Sequence, residues 1–301
     1  MNIYGKNVNY IQYGEGDKDV VLLHGWGQNI EMMDGIGKCL NNVRVTIFDL
    51  PGFGKSEEFD SSKSVGEYAD WLKEALNQLG IANPALIGHS FGGRVAIKYA
   101  SKYPTSEVVL LASPIIRVRH KPTFKEKFYK VVKRTPLGEY FRKKIGSADY
   151  NNASPVMRGT LVKAVNEDLL EDAKKIKSPT LFLAGRYDTA VPLDITQKAV
   201  EEMEKAGVDV ALIIQDGDNY AYLHNIIQTY TVINNLINSE PKRNSNCEPI
   251  EESKEEANNN VNDIEYEEDM YTDALPKQFS LEEYYKEKAK TKILENNIKT
   301  R

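Results

Sequence analysis

The chain of 301 residues is poor in cysteine, with two, and poor in histidine, with four. Cys39 and Cys247 stand far apart in sequence, which excludes a disulfide scaffold and makes a reducing, cytoplasmic setting the simpler expectation. Long apolar runs are missing as well. The longest are short stretches such as Val20 to Leu23 and Ala211 to Ile214, against the ~20 residues a membrane helix needs, so no membrane span is expected. Met1 to Gly16 is polar and mixed, without the apolar core of a secretory signal. There is no excess of positive charge. The net charge is −5, which excludes a chain-wide nucleic-acid footprint.

What is present divides into three zones. Residues 1–238 alternate short Val/Ile/Leu-rich runs with helical patterns. Strands are predicted at Val8–Tyr13, Val20–Leu23, Val43–Phe48, Ala85–Ile87, Val108–Leu111, Thr180–Ala184 and Val210–Ile214. Helices are predicted near 30–40, 64–79, 91–102, 193–206 and 220–237. Such alternation predicts an α/β fold, a mostly parallel sheet with helices on both faces. An insert at 115–165 breaks it. Arg117 to Lys144 holds eleven Lys and Arg against Glu126 and Glu139, with Phe124, Phe128, Val131 and Val132 at helical spacing. The insert reads either as a solvated helical surface or as a selector of anionic acyl substrates. The third zone is acidic. Glu248 to Asp273 carries eleven acids and one base, Lys254, and is expected to be a disordered linker within 239–279. Beyond it, Ser280 and Glu283 form a capping-box pattern before Leu281, Tyr285, Ala289 and Ile293, so a short amphipathic helix is expected within 280–301. The tail serves solubility, or folds over the basic insert of opposite charge, or contacts a protein partner.

Chemistry concentrates at the ends of the predicted strands. Gly88-His89-Ser90-Phe91-Gly92, followed by Gly93, joins a strand to a helix. That is the setting of a nucleophile elbow: a strained turn lifts the serine hydroxyl above the sheet, and small residues flank it because side chains would strike neighbouring backbone. His24-Gly25-Trp26-Gly27 follows the strand Val20–Leu23. The amides of Trp26 and Phe91 suit the two donors an oxyanion requires. Asp49 to Ser56 contains Gly54-Lys55-Ser56, but Asp49 stands where a phosphate-binding loop needs glycine, so nucleotide binding is rejected. Asp188, in Gly185-Arg186-Tyr187-Asp188, sits at the carboxyl end of a strand, as an orienting carboxylate would; a helix-capping role is the plainer alternative.

Taken together, these four motifs resemble the α/β-hydrolase fold superfamily over residues 1–238, and within it the small capped serine esterases and C–C hydrolases. The resemblance implies an α/β-hydrolase fold with the 115–165 insert as a small helical cap. It implies Ser90 as nucleophile, Asp188 as the triad acid, Trp26 and Phe91 as oxyanion donors, and a small-molecule acyl substrate, with neither metal nor organic cofactor. Haloalkane dehalogenases and epoxide hydrolases carry aspartate at the elbow; Ser90 argues against both.

The family's histidine follows the last strand. Aligning Tyr220 and Leu223 on the family's aromatic and leucine puts Asn219 at that position. A carboxamide has no usable basicity near neutral pH. His24 belongs to the oxyanion turn, His89 is the elbow residue whose side chain is expected to lean away from the hydroxyl, and His120 lies in the insert. His224 is the remaining candidate base, although five helical residues carry it ~7.5 Å along and ~140° around from position 219. The expectation is therefore a serine hydrolase acting on an ester, thioester or related carbonyl substrate through an acyl-enzyme on Ser90. The alternative is a catalytically impaired hydrolase-fold binding protein.

Overall fold

Continuous apolar runs such as Val20 to Leu23 have no polar face to give to water, so they pair as interior strands covered on both sides. In the computed structural model, which describes residues 1–117, 151 and 153–238, they do so. The elements in chain order are β1 (Asn2–Ile3), β2 (Lys6–Asn7), β3 (Tyr10–Tyr13), β4 (Lys18–Leu23), α1 (Ile30–Gly37), β5 (Val43–Phe48), α2 (Val65–Gln78), β6 (Ala85–His89), α3 (Phe91–Ala100) and β7 (Val108–Leu111). After the undescribed stretch come α4 (Pro155–Asn166), α5 (Leu170–Ala173), β8 (Thr180–Gly185), α6 (Leu193–Lys205), β9 (Val210–Gln215), α7 (Ala221–His224) and α8 (Ile226–Asn238). The described residues belong almost wholly to one unit, Met1–Ile237. The expectations for His120, the acidic linker and the terminal helix fall outside the described residues, as does most of the basic insert.

Seven strands form one sheet in the order β3-β5-β4-β6-β7-β8-β9. β3 runs antiparallel to β5 and every other pairing is parallel. β1 and β2 form a separate antiparallel hairpin, with Tyr4 and Gly5 at positive φ in its turn. Chain order reverses about β4: β5 lies on one side of it and β6 on the other. Beyond the carboxyl ends of β4 and β6 this reversal opens a crevice, the usual ligand position in open α/β sheets.

Alternate residues of each strand feed two cores. Val21, Leu23, Leu86, Val108, Leu110 and Phe182 join Tyr68, Trp71, Leu72, Val95 and Met203 from α2, α3 and α6 in one cluster. Val20, Leu22, Val45, Ile47, Ile87 and Ile213 are equally buried on the opposite face, where α1 packs on β4 and β5. Helix starts follow from their caps. Ser64 and Glu67 form a reciprocal capping box on α2, whose buried residues recur three and four apart. The Ser64 amide and hydroxyl and the Lys63 ammonium bond the Glu67 carboxylate and hold its pKa down at about 2, with the backbone bond the largest contribution. Ser154 caps α4, with Pro155 at its first position.

The insert returns to the body at a fixed neck. Arg94, one turn past Ser90, donates to the carbonyls of Pro114 (2.8 Å), Ala164 (2.7 Å) and Glu167 (2.6 Å). Its guanidinium thus ties α3 to the C-terminal carbonyls of α4, the end of a helix that favours positive charge. No helix among the described residues is long and apolar enough to cross a membrane.

Candidate active site

The elbow follows from its flanking residues. Ser90 ends β6 with φ 47° and ψ −106°, in the region that side chains rarely adopt, and α3 begins at the next residue. Its backbone N–H is held by the Leu111 carbonyl at 2.9 Å. A Cβ on Gly88 would stand 2.5 Å from the backbone of Gly93, and one on Gly92 would run into the Leu23 carbonyl oxygen. The strand–turn–helix can close this tightly only with glycine at both places.

The oxyanion turn lies alongside. Gln28 N–H donates to the Gly25 carbonyl at 3.2 Å, with Gly27 at φ 71° in the third position of the turn, so Trp26 is held at its tip. The Trp26 ring packs edge-on against Phe53 and Phe91, at centroid distances of 4.9 and 5.4 Å. Among the described residues, Ser90 Oγ and the backbone N–H groups of Trp26 and Phe91 have no hydrogen-bond partner. Three polar groups therefore stay open at the carboxyl ends of β4 and β6.

Behind them His24 is buried. Its Nε2 accepts the Leu50 N–H at 3.0 Å, so Nδ1 carries the proton and faces the Gly25 carbonyl at 2.7 Å. Burial, more than any neighbour, lowers its pKa. His24 thus braces the start of the oxyanion turn. Asp49 fixes the adjoining loop: its carboxylate accepts from Ile30 N–H (2.8 Å), Lys55 N–H (2.8 Å) and Asn9 Nδ2 (2.7 Å). The Asp49–Ser56 segment is a structural loop built on a buried carboxylate.

The acid side is assembled by two loops that bond each other. Arg186 N–H donates to Gln215 O and Tyr187 N–H to Gly217 O, which draws the loop after β8 against the loop after β9. Asp188 is buried. Its Oδ1 accepts from Ala190 N–H (2.7 Å) and Val191 N–H (2.8 Å). Its Oδ2 accepts from Asn219 Nδ2 at 3.1 Å. Asn219 therefore meets the carboxylate through its carboxamide.

His224 does not meet it. Its side chain is exposed at the end of α7, and among the described residues no hydrogen bond reaches the ring. Both Asp188 oxygens are already engaged by other groups. The expected continuous helix over 220–237 is two helices, broken at Asn225, whose side chain turns back to the carbonyls of Asp216 (2.9 Å) and Ala221 (2.8 Å). That break leaves His224 on the outer surface.

The imidazole that does enter the site is His89. Its Nε2 lies 3.0 Å from Asn219 Oδ1 and its Nδ1 lies 2.9 Å from Gln28 Oε1. Tyr222 and Tyr220 pack on the ring at 4.9 and 5.6 Å. Burial pushes its pKa down to about 4, against the pull of the Asn219 bonds and of Asp188. The sequence offered one signal for this: His89 directly precedes Ser90. Its partners come from residues 61 and 130 positions away, beyond what local pattern reaches. Among the described residues no group of three or more His, Cys, Asp or Glu could hold a metal ion.

A reversed-order parallel sheet, a strained serine between strand and helix, and a buried carboxylate after a later strand define a hydrolase-type scaffold. Residues 19–206 match the alpha/beta hydrolase fold family, and the chain belongs to it. The chain is 39% identical over 110 residues to the pimeloyl-[acyl-carrier protein] methyl ester esterase of Shewanella woodyi, a match covering 35% of this chain and 40% of that protein. It is 27% identical over 241 residues to the 2-hydroxy-6-oxononadienedioate/2-hydroxy-6-oxononatrienedioate hydrolase of Burkholderia vietnamiensis, covering 67% of this chain and 82% of that one. An esterase from Exiguobacterium antarcticum superposes with a TM-score of 0.62 at 20% identity, over 78% of this chain and 97% of that structure, a likeness of fold. The family and these relatives support an esterase-like hydrolase.

Proposed function

We propose that the protein is a serine hydrolase of a small ester, thioester or related carbonyl substrate, with Ser90 as nucleophile, and that its rate is limited by Asn219. The supporting observation is the open trio at the crevice: a strained Ser90 whose hydroxyl, like the amides of Trp26 and Phe91 beside it, has no partner among the described residues. Ser90 Oγ would bond to the carbonyl carbon, and the two amides would receive the resulting oxyanion. Collapse would break the bond to the leaving alkoxide or thiolate, which takes up the proton the serine lost. Water would then attack the acyl-enzyme, releasing the acid and restoring the hydroxyl. Asp188 would orient whatever stands at position 219. With a carboxamide there, no group at that position takes the serine proton, and both halves of the reaction slow. The reading gives His224 no part.

A second reading, a hydrolase scaffold that binds an acyl ligand without turnover, is favoured by the same amide at position 219. One experiment separates them. Turnover of p-nitrophenyl acetate is measured for the wild type, Ser90→Ala, Asn219→His and the double variant. The enzyme reading expects slow wild-type turnover that Ser90→Ala abolishes and Asn219→His raises. Turnover that persists in Ser90→Ala defeats it, and a silent wild type that Asn219→His awakens favours the binding protein.

A further inference from the structure

His89 stands between two carbonyl oxygens, and neither can turn away. Asn219 must present Oδ1 to the ring because its Nδ2 donates to Asp188 Oδ2 at 3.1 Å. Gln28 must present Oε1 because that atom accepts the Gly25 N–H at 2.8 Å. Flipping either amide would set an N–H against an N–H, or an oxygen against a carboxylate. A neutral imidazole has one N–H, so it satisfies one oxygen and faces the other with a lone pair. An imidazolium satisfies both.

The result is a polar chain crossing the site: Gly25 N–H, Gln28, His89, Asn219, Asp188. One end is the turn that holds Trp26, and the other is the acid loop. The approach is tight enough that a Cβ on Gly25 would lie 2.7 Å from His89 Nδ1 and 2.8 Å from Gln28 Oε1.

We propose that His89 is a positioning residue: its imidazole links the oxyanion turn to the acid loop through Gln28 and Asn219, and the link closes fully when the ring takes up a proton. The function of that link rests on the hydrolase reading above; its existence does not. The groups facing the ring are Asp188 across Asn219, which favours the proton, His24 from the end of β4, which opposes it, and the Tyr220 and Tyr222 rings. Burial keeps the ring neutral near pH 7, so the chain is half-closed there and closes as pH falls toward about 4.

The test uses the full chain with ring-15N-labelled histidine, titrated by NMR, with His89 assigned from His89→Gln and folding followed by circular dichroism. His89 is expected to titrate below the ordinary histidine value, with both ring nitrogens protonated at the acid end. Gln28→Leu and Asn219→Leu each remove an acceptor of the charged form and are expected to lower the midpoint by about one unit. Tyr230→Phe is expected to leave it in place. A midpoint unmoved by both acceptor variants overturns the proposal, as does a His89 that titrates at the ordinary histidine value. A parallel measurement separates the two readings: the rate at which a fluorophosphonate labels Ser90. Gln28→Leu is expected to slow labelling about tenfold through a loosened Trp26 turn, and His89→Gln to remove its acid-side pH dependence. Labelling rates unaffected by both variants overturn the positioning role. A Ser90 unreactive in every variant defeats the hydrolase reading, while the titration still decides whether the link exists.

Discussion

The two sides of the crevice differ in kind. On the Ser90 side, the carboxyl ends of β4 and β6, backbone conformation does the work: a strained serine, two glycines that admit no side chain, and two amides without a partner among the described residues. On the other side, the loops after β8 and β9, side chains do the work, and there the Asn219 carboxamide meets the buried Asp188 carboxylate. Backbone features depend on many residues at once and are hard to lose singly. A proton-transfer group is one side chain and can be exchanged while its loop keeps its shape, and in the proposed reading Asn219 is such an exchange, held by its bond to Asp188.

The comparison is broken most sharply from the side-chain half. Asn219→His is expected to raise kcat/KM on p-nitrophenyl esters by at least about a hundredfold, the scale of a general base; steady-state kinetics beside Asn219→Gln, which gains nothing, checks it. On the backbone half, Gly92→Ala forces a Cβ onto the Leu23 carbonyl. It is expected to cost more than about 3 kcal/mol or to prevent folding, read from urea unfolding.

Asp188→Ala probes the joint between the halves. It strands the N–H groups of Ala190 and Val191 and frees Asn219. A loss of about 2–3 kcal/mol is expected in the same assay. A smaller effect is expected from pH. His24 and His89 both have folded pKa values below the ordinary histidine value, so the unfolded chain binds more protons at mildly acidic pH. The stability they confer is present above about pH 6.5 and is lost as pH falls toward the folded values, about 4 for His89. His89→Gln is therefore expected to show a shallower drop in urea midpoint between pH 6.5 and 4.5 than the wild type. Away from the site, Ser64→Ala removes one half of the α2 capping box and is expected to cost about 1 kcal/mol with no effect on turnover.

Legibility followed the same division. The strands Val43–Phe48 and Val108–Leu111 appear where their apolar runs predict, because a run buried on both faces leaves an unmistakable trace. The strained strand-to-helix turn at Ser90 was readable because it is local in sequence. The β1–β2 hairpin was not, since two-residue strands carry no periodicity. The break at Asn225 was hidden inside a pattern apolar enough for one helix, and it leaves His224 exposed at the end of α7. His89's place was invisible for a different reason: strand alternation says which way a side chain leaves the sheet, not which loops fold over to meet it.

The central claim is that Ser90 is a competent nucleophile lacking only its base. Intact-protein mass spectrometry after timed exposure to a fluorophosphonate tests it most directly. The account predicts a single adduct on Ser90, slow in the wild type, markedly faster in Asn219→His and absent from Ser90→Ala. An adduct that survives Ser90→Ala, or a rate that Asn219→His leaves unchanged, would contradict it.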